Sequence, residues 1–133
     1  MTKLYPSWIE IPVNDMDRAL AFYRAVFELT DTPLYDDEPP ALIAVLLPSD
    51  KSVHNPGVSL IRSPQHTPSA GGGQINFHIG DYASFNKALE AVKAYGGHIH
   101  ETVEMEDGVK YAVLADSEGN TIAISAYEES DPK

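Results

Sequence analysis

The chain contains no cysteine, which excludes disulfide bonds, thiolate metal sites and a cysteine nucleophile. Basic residues are scarce, because nine lysines and arginines stand against twenty aspartates and glutamates, for a formal net charge of -11 at pH 7. Such a charge repels phosphate backbones and anionic lipid, so we expect neither a nucleic-acid partner nor a membrane partner. It would favour a cationic ligand, although an acidic surface more often serves solubility alone.

Long apolar segments are missing too. The N-terminal residues lack the apolar stretch of a signal peptide, and the run from Ala41 to Leu47 is far too short to span a bilayer. We therefore expect a cytoplasmic protein. The chain also lacks a Gly-x-Ser-x-Gly nucleophile sequence, and Gly71-Gly72-Gly73 lacks the Lys-Ser/Thr pair of a phosphate-binding loop. The 133 residues, of which 43% are hydrophobic, have the size and composition of one globular domain over residues 1–133.

Hydrophobic patterns in residues 1–62 predict one βαβββ module. Trp8 to Pro12 alternates in character as a strand does, and Asn14 and Asp15 favour a helix N-terminus. The helix is predicted from Asp15 to Phe27, where apolar residues recur at three- and four-residue spacings. The strands predicted next are at most a short irregular one within residues 30–40, a buried one over residues 41–47 and one over residues 57–62, after turn residues 48–56.

Residues 74–127 repeat this order after a proline- and glycine-rich linker at residues 63–73. Asp81 is placed like Asp15, before a helix that is predicted to end at Gly96-Gly97. The predicted elements are a strand over residues 74–79, a helix over 81–95, strands over 98–102, 110–115 and 121–126, a turn at 116–120 and a tail over 128–133. Because one half alone would expose a face of its sheet, we expect the halves to pair around a concave groove. One continuous α+β sheet, as in a ferredoxin-like fold, is the alternative.

Short sequences at both ends of the chain occur in a characteristic order. The first is the stretch from Trp8 to Asp15, which is followed by Phe22-Tyr23 in the predicted helix. The second is the stretch from Ala115 to Ile122, which is similar to an Asp-Pro-Asp-Gly-Asn turn and the strand after it. Together with Gly96-Gly97, they make the chain resemble the vicinal oxygen chelate superfamily of glyoxalases, bleomycin resistance proteins and extradiol dioxygenases. The resemblance implies an α+β fold of two tandem βαβββ modules in an open half-barrel sheet with helices outside, and a homodimer.

Many members of that superfamily hold a divalent metal ion with His or Glu side chains from four strands. The resemblance places Trp8, Gln74 and Ala123 at three of these positions, and the fourth falls near Ser59 or Leu60. An indole has no basic lone pair, and a methyl group coordinates nothing. We therefore expect no metal ion at these positions and no cofactor.

Strand alternation assigns the side chains that would line the groove, because residues two apart point the same way. Ile9 and Ile11 are expected under the first helix, and Ile75, Phe77 and Ile79 under the second. A groove that is polar with an aromatic wall suits a small organic ligand. The expected ligand-binding residues are Trp8, Glu10, Gln74, Asn76, His78, Ala123 and Ser125, with Thr121 and Tyr127 on the same side.

Glu10 and His78 are the titratable groups of this set and the candidate catalytic residues. A carboxylate beside an imidazole can act in acid–base catalysis without a metal. The alternative is that Glu10 pairs with a cation such as Arg62 and that His78 makes a structural hydrogen bond. His98 and His100 form a separate His-x-His pair, a spacing that can bind zinc or nickel. Two solvated imidazoles on an exposed strand are the commoner explanation of that pair.

The leading functional hypothesis is a glyoxalase/bleomycin resistance-like protein that binds a small organic ligand without a metal, as a drug-resistance protein does. The alternative is a lyase, isomerase or dioxygenase of the same superfamily. Such an enzyme would use either a metal held by Glu10, His78, His98 and His100 or acid–base chemistry of Glu10 and His78. A regulatory domain that acts through its dimer surface has no positive feature in the sequence, and the modules could pair within one chain or between subunits.

Overall fold

The computed structural model describes residues 7–29, 34–36, 41–47 and 57–127. Its helices and strands follow the predicted order, and their ends differ from the predicted ones by a few residues at most. The predicted turn at residues 48–56, the tail at 128–133 and most of residues 30–40 lie outside the described ranges. The elements are β1 (Trp8–Pro12), α1 (Met16–Phe27), β2 (Leu34–Asp36), β3 (Leu42–Leu46), β4 (Gly57–Arg62), β5 (Ile75–Asp81), α2 (Tyr82–Ala94), β6 (His98–Glu104), β7 (Val109–Ala115) and β8 (Thr121–Tyr127).

The strands form two separate four-stranded sheets. The first has the order β1-β4-β3-β2 and the second the order β5-β8-β7-β6. In each sheet the first strand runs parallel to the last one of its module, and the remaining pairs are antiparallel. β2 is short, and its register against β3 shifts, as expected for a segment broken by prolines. The predicted α+β fold of two βαβββ modules is confirmed, and one continuous sheet is excluded.

Both helices begin at the predicted aspartate. The carboxylate of Asp15 accepts the backbone N–H of Arg18 at 3.0 Å, and that of Asp81 accepts the backbone N–H of Ser84 at 2.9 Å. Each bond satisfies one of the N–H groups that have no partner inside the helix. After α2, Gly96 adopts a φ of 95°, a left-handed conformation that favours glycine and ends the helix there.

The core contains side chains from both modules, because the two helices pack against each other as well as against their own sheets. Ala19, Phe22 and Tyr23 of α1 are completely buried. Phe27 at the end of α1 lies 5.0 Å, between ring centroids, from Phe77 of β5, so an aromatic contact joins the first module to the second. No helix of the described residues is long and apolar enough to cross a bilayer.

A turn of the second module is hydrogen-bonded into the first, and we call this turn, residues 116–120, the clasp. The carboxylate of Asp116 is buried and accepts the Tyr23 hydroxyl at 2.5 Å, together with the backbone N–H groups of Glu118 and Asn120. The side-chain amide of Asn120 donates to Asp116 and to the carbonyl of Pro12 in β1. Burial, and then the charge and hydrogen bond of Asp116, raise the pKa of Tyr23 well above its usual value, so its hydroxyl remains a donor.

Glu118 of the clasp binds the beginning of α1. Its carboxylate accepts the backbone N–H groups of Asn14 and Asp15 at 2.8 and 3.0 Å and forms an ion pair with Arg18 at 2.7 Å. The Glu118 side chain is fully covered, whereas the Arg18 side chain is 51% exposed. Burial raises the pKa of Glu118, but the hydrogen bonds from Arg18, Asp15 and Asn14 outweigh it, and the pKa is lower than usual. A carboxylate also suits the positive end of the helix dipole.

Candidate functional site

In the first sheet, the residues expected in the groove lie on the face opposite the core. Ile9 and Ile11 pack against the core, while Trp8 and Glu10 are exposed on the other face of β1. The indole Nε1 of Trp8 donates to the hydroxyl of Ser59 at 3.1 Å. A Cβ atom at Gly57 would overlap the Trp8 ring, so the absence of a side chain there allows the indole to lie across β4. Trp8 nevertheless remains 52% exposed.

In the second sheet, the expected groove residues at positions 74–78 are polar and exposed, whereas Ala123 of β8 is only 3% exposed. Gln74, Asn76 and His78 all have exposed side chains. The Gln74 amide donates to the Asn76 side chain at 3.0 Å, and the His78 ring lies 4.9 Å from the Tyr127 ring. Tyr127 is 43% exposed. This face therefore offers amides, an imidazole and a phenol to a ligand.

The strand registers show which groove residues are neighbours, because directly paired residues share a face. Ala123 is paired with Asn76, and Ser125 with His78, in the second sheet. In the first sheet, the partner of Glu10 is Ser59. Leu60 instead belongs to the buried core. Of the two residues considered for the fourth metal position, Ser59 is therefore the one on the groove face.

The side chains at the four positions that the family resemblance assigns to a metal ion do not fit a divalent ion. Trp8 and Ser59 are hydrogen-bonded to each other, Gln74 is bonded to Asn76, and Ala123 has no donor atom. Metal sites in proteins use imidazole, carboxylate or thiolate ligands as a rule. No group of three or more His, Cys, Asp or Glu side chains in the described residues could hold a metal ion.

No hydrogen bond or ion pair joins Glu10 to His78 among the described residues. They belong to different sheets, and no strand of one sheet is paired with a strand of the other. Neither an ion pair between Glu10 and Arg62 nor a hydrogen bond of Glu10 is found among the described residues. His78 contacts an aromatic ring and has no hydrogen bond to another described residue. Among the described residues, neither side chain therefore has the polar partner that its structural explanation requires.

Some residues of the groove face were not found from the sequence. Tyr111 of β7 is paired with Ser125, and Val113 with Ala123, so both extend the groove face toward the edge of the second sheet. The alternation of β7 gives their common orientation, but only the register shows which neighbours they have. Tyr111 adds a second phenol near His78 and Tyr127.

Comparison with known proteins places the fold and the sequence in one family. The model of the Glyoxalase/Bleomycin resistance protein/Dioxygenase superfamily matches residues 6–124. No curated protein matches the chain. A glyoxylase/bleomycin resistance protein/dioxygenase domain from Frankia sp. EAN1pec has a similar structure, with a TM-score of 0.69, 13% identity and coverage of 98% of this chain and 96% of that chain.

Two further solved structures are similar. The glyoxalase/bleomycin resistance protein from Albidiferax ferrireducens T118 has a TM-score of 0.64 and 18% identity. The alignment covers 90% of this chain and 96% of that chain. The genomically encoded fosfomycin resistance protein FosX from Listeria monocytogenes has a TM-score of 0.66 and 14% identity, with 99% of this chain and 96% of that chain covered. At these identities the likeness shows the shared fold.

Proposed function

The chain belongs to the glyoxalase/bleomycin resistance protein/dioxygenase superfamily, and from that premise we propose that it binds a small organic ligand on its groove faces without a metal ion. The bond between Trp8 and Ser59 carries this proposal. By the family resemblance, these two residues stand at positions where metal-binding members have ligands. Here the Trp8 indole Nε1 donates a hydrogen bond to the Ser59 hydroxyl at 3.1 Å. The exposed indole of Trp8, held by this hydrogen bond, gives the groove face of the first sheet an aromatic surface.

The exposed groups suggest the chemistry of the ligand. The half-exposed indole of Trp8 offers a flat apolar surface, on which an aromatic or cationic group can stack. Asn76 and His78 offer hydrogen bonds from the other sheet. The exposed carboxylate of Glu10 and the net charge of -11 favour a ligand with a positively charged group. A planar or cationic organic molecule of modest size meets these conditions.

We include a homodimer in the proposal. The large side chains Trp8 and Tyr127 are exposed on the groove faces, and the two modules of one chain contact each other mainly through α1, α2 and the clasp. A second copy could cover these faces, so that the first module of one chain and the second module of its partner enclose one groove. Glu10 and His78 would then meet across subunits.

Fluorescence of Trp8 tests the binding proposal directly, because it is the only tryptophan. Untagged protein treated with EDTA is titrated with a panel of cationic and aromatic compounds that includes bleomycin and fosfomycin, since FosX is a fosfomycin resistance protein. We expect at least one compound to change the emission in a saturable way. Asn76→Ala should weaken that binding by about tenfold or more, the loss of one good hydrogen bond.

Tyr95→Ala is the matched control, because Tyr95 is an exposed aromatic residue at the end of α2 and not on a groove face. It should bind like the unaltered protein. Binding that appears only after a divalent metal is added would contradict the proposal. Turnover of a compound by the metal-free protein, lost in Glu10→Gln, would instead support the acid–base enzyme.

Sedimentation velocity tests the homodimer, and acrylamide quenching of Trp8 tests where the subunits meet. We expect a dimer in which Trp8 is shielded, with quenching that increases when dilution separates the subunits. A monomer at all concentrations would contradict this part of the proposal and leave the ligand titration valid.

A further inference from the structure

The edge strand β6 carries two histidines whose rings lie side by side. We propose that His98 and His100 form a two-histidine chelate for a divalent transition metal ion of the Cu²⁺, Ni²⁺ and Zn²⁺ type. β6 is at the opposite edge of the second sheet from β5. Three strand spacings of about 4.8 Å separate the two edges by about 14 Å. Ala123 of β8 is two strand spacings, about 10 Å, from β6, and Trp8 and Ser59 belong to the other sheet. The pair is therefore separate from the ligand surface around Trp8.

The separation of the rings matches the geometry of chelation. The ring centroids of His98 and His100 are 5.1 Å apart, and the ring planes are inclined by 65°. A metal–nitrogen bond of about 2.0–2.1 Å places each imidazole centroid about 3.2 Å from the metal, and two such rings at tetrahedral or square-planar angles are about 5 Å apart. The distance between the two rings therefore matches the distance that chelation by both imidazoles requires.

A β-bulge in β6 explains why the two rings meet. Ile99 is paired with Leu114, whereas Glu101 is paired with Val113, so His100 is an additional residue without a partner in β7. An extra residue of this kind bends the strand and redirects a side chain. Ile99 packs against the core, which holds the backbone between the two histidines in place. The bulge and this apolar anchor preorganise the pair.

Both imidazoles are available for coordination. His98 and His100 are exposed, and neither is hydrogen-bonded to another described residue. Because β6 is an edge strand, a hydrated metal ion can reach the pair without displacing other side chains. No third His, Asp or Glu in the described residues completes the set, so the other coordination positions would be taken by water, by an external ligand or by a second protein molecule.

The ligand type predicts the preference among metals. Imidazole nitrogens bind Cu²⁺ more tightly than Ni²⁺ or Zn²⁺, whereas Mg²⁺ and Ca²⁺ require oxygen ligands. We therefore expect binding of one Cu²⁺, Ni²⁺ or Zn²⁺ per chain and none of Mg²⁺ or Ca²⁺.

Calorimetric titration of the untagged, full-length protein with Ni²⁺ tests the chelate. A metal ion bound by two imidazoles is held about 10²–10⁴ times more tightly than one bound by a single imidazole when the geometry permits both bonds. We therefore expect His98→Asn and His100→Asn each to weaken Ni²⁺ binding about 100-fold. In the NMR spectrum, Cu²⁺ below one equivalent should broaden the imidazole signals of His98 and His100 before those of other histidines.

His66→Asn is the matched control, because His66 is a single histidine whose Nδ1 is already hydrogen-bonded to Ser63. It should leave Ni²⁺ affinity unchanged. Equal Ni²⁺ affinity in His98→Asn, His100→Asn and the unaltered protein would overturn the proposal, as would first broadening at His66 or His78. The readouts are metal affinity and individual imidazole signals, so the outcome is independent of whether a ligand binds at Trp8.

Discussion

The parallel strand pair β1 and β4 and its counterpart β5 and β8 share a register as far as Pro12 and His78, but they differ in the side chains on the groove face. Glu10 is paired with Ser59 in the first module, where the second module pairs Asn76 with Ala123. On the opposite face, the residues of both modules are large and apolar and belong to one core. The comparison teaches that the core positions maintain the fold, while the groove positions are free to differ.

The helix beginnings show a second difference between the modules. Asp15 and Asp81 cap their helices with the same kind of bond. The beginning of α1 also receives a carboxylate from the other module, that of Glu118. The clasp therefore makes the stability of the first module depend on the second. We predict that substitutions in the clasp affect the whole molecule, whereas similar substitutions elsewhere in the second module have small effects.

The largest effect is expected from Asp116→Ala. The substitution leaves the buried Tyr23 hydroxyl and the clasp N–H groups without their acceptor, so the free energy of unfolding in urea should fall by about 4 kcal/mol. Asp107→Ala is the control, because it removes a similar side-chain bond, to the backbone N–H of Val109, at an exposed turn within the second module. It should lower the free energy of unfolding by less than about 1 kcal/mol. If Asp116→Ala does not fold, Asp116→Asn is measured instead and is expected to lose about 2 kcal/mol. Equal losses for Asp107→Ala and the Asp116 variant would show that the clasp has no special role.

A smaller loss is expected from Gly97→Ala, which tests the packing between the modules. A Cβ atom there would lie 2.7 Å from the carbonyl of Ala115 and from the ring of Phe22 in α1. Because a backbone carbonyl cannot move aside cheaply, we expect a loss of about 2 kcal/mol in urea unfolding. The control is Gly72→Ala, where the nearest atom is at 3.8 Å, and its effect should be within about 0.5 kcal/mol. Equal stabilities of the two variants would contradict close packing at Gly97.

Glu118→Gln should lower Tm by a few degrees at neutral pH, since it removes the charge that pairs with Arg18. The pKa of Glu118 is lower than its usual value of 4.5. Its charge therefore adds stability above that value, and the contribution is lost as the pH falls through the lower pKa of the folded protein. The Tm difference between the variant and the unaltered protein should thus shrink as the pH falls below 4.5. A Tm difference that does not change with pH would show that the packing of the Glu118 side chain, and not its charge, stabilises the clasp. Glu104→Gln on the exposed edge strand serves as the control.

Ser59→Ala should have the smallest effect on stability, about 0.5–1 kcal/mol, because Trp8 is half-exposed and can bond to water instead. The emission of Trp8 should nevertheless move to longer wavelength as the indole becomes more mobile and more hydrated. Ala123→Ser makes the reverse exchange at the equivalent position of the second module and should leave the emission unchanged. Unchanged emission in Ser59→Ala, or an equal red shift in Ala123→Ser, would contradict a specific bond between Trp8 and Ser59.

Several features of the site could be predicted from the sequence, and others could not. Alternation places Trp8 and Asn76 on a face away from Ile9 and Phe77, because the side-chain period of a strand does not depend on its partners. The choice of Ser59 over Leu60 required the register between β1 and β4. That register depends on how two distant segments pair, which no local pattern contains.

The clasp and the histidine pair illustrate the same distinction. The sequence predicts a turn at residues 116–120, since glycine and asparagine favour one, but it does not show that Glu118 reaches Arg18. His98 and His100 are two apart in sequence, yet their contact depends on a bulge that appears only in the pairing with β7.

By itself, the sequence determined the order of helices and strands and the caps at Asp15 and Asp81. These properties depend on residue types and on short-range periodicity, which every segment carries with it. Only the tertiary structure decided that Trp8 bonds to Ser59 and that Glu118 holds α1. Such contacts join residues far apart in the chain, and their geometry is set when the two modules pack around a common core.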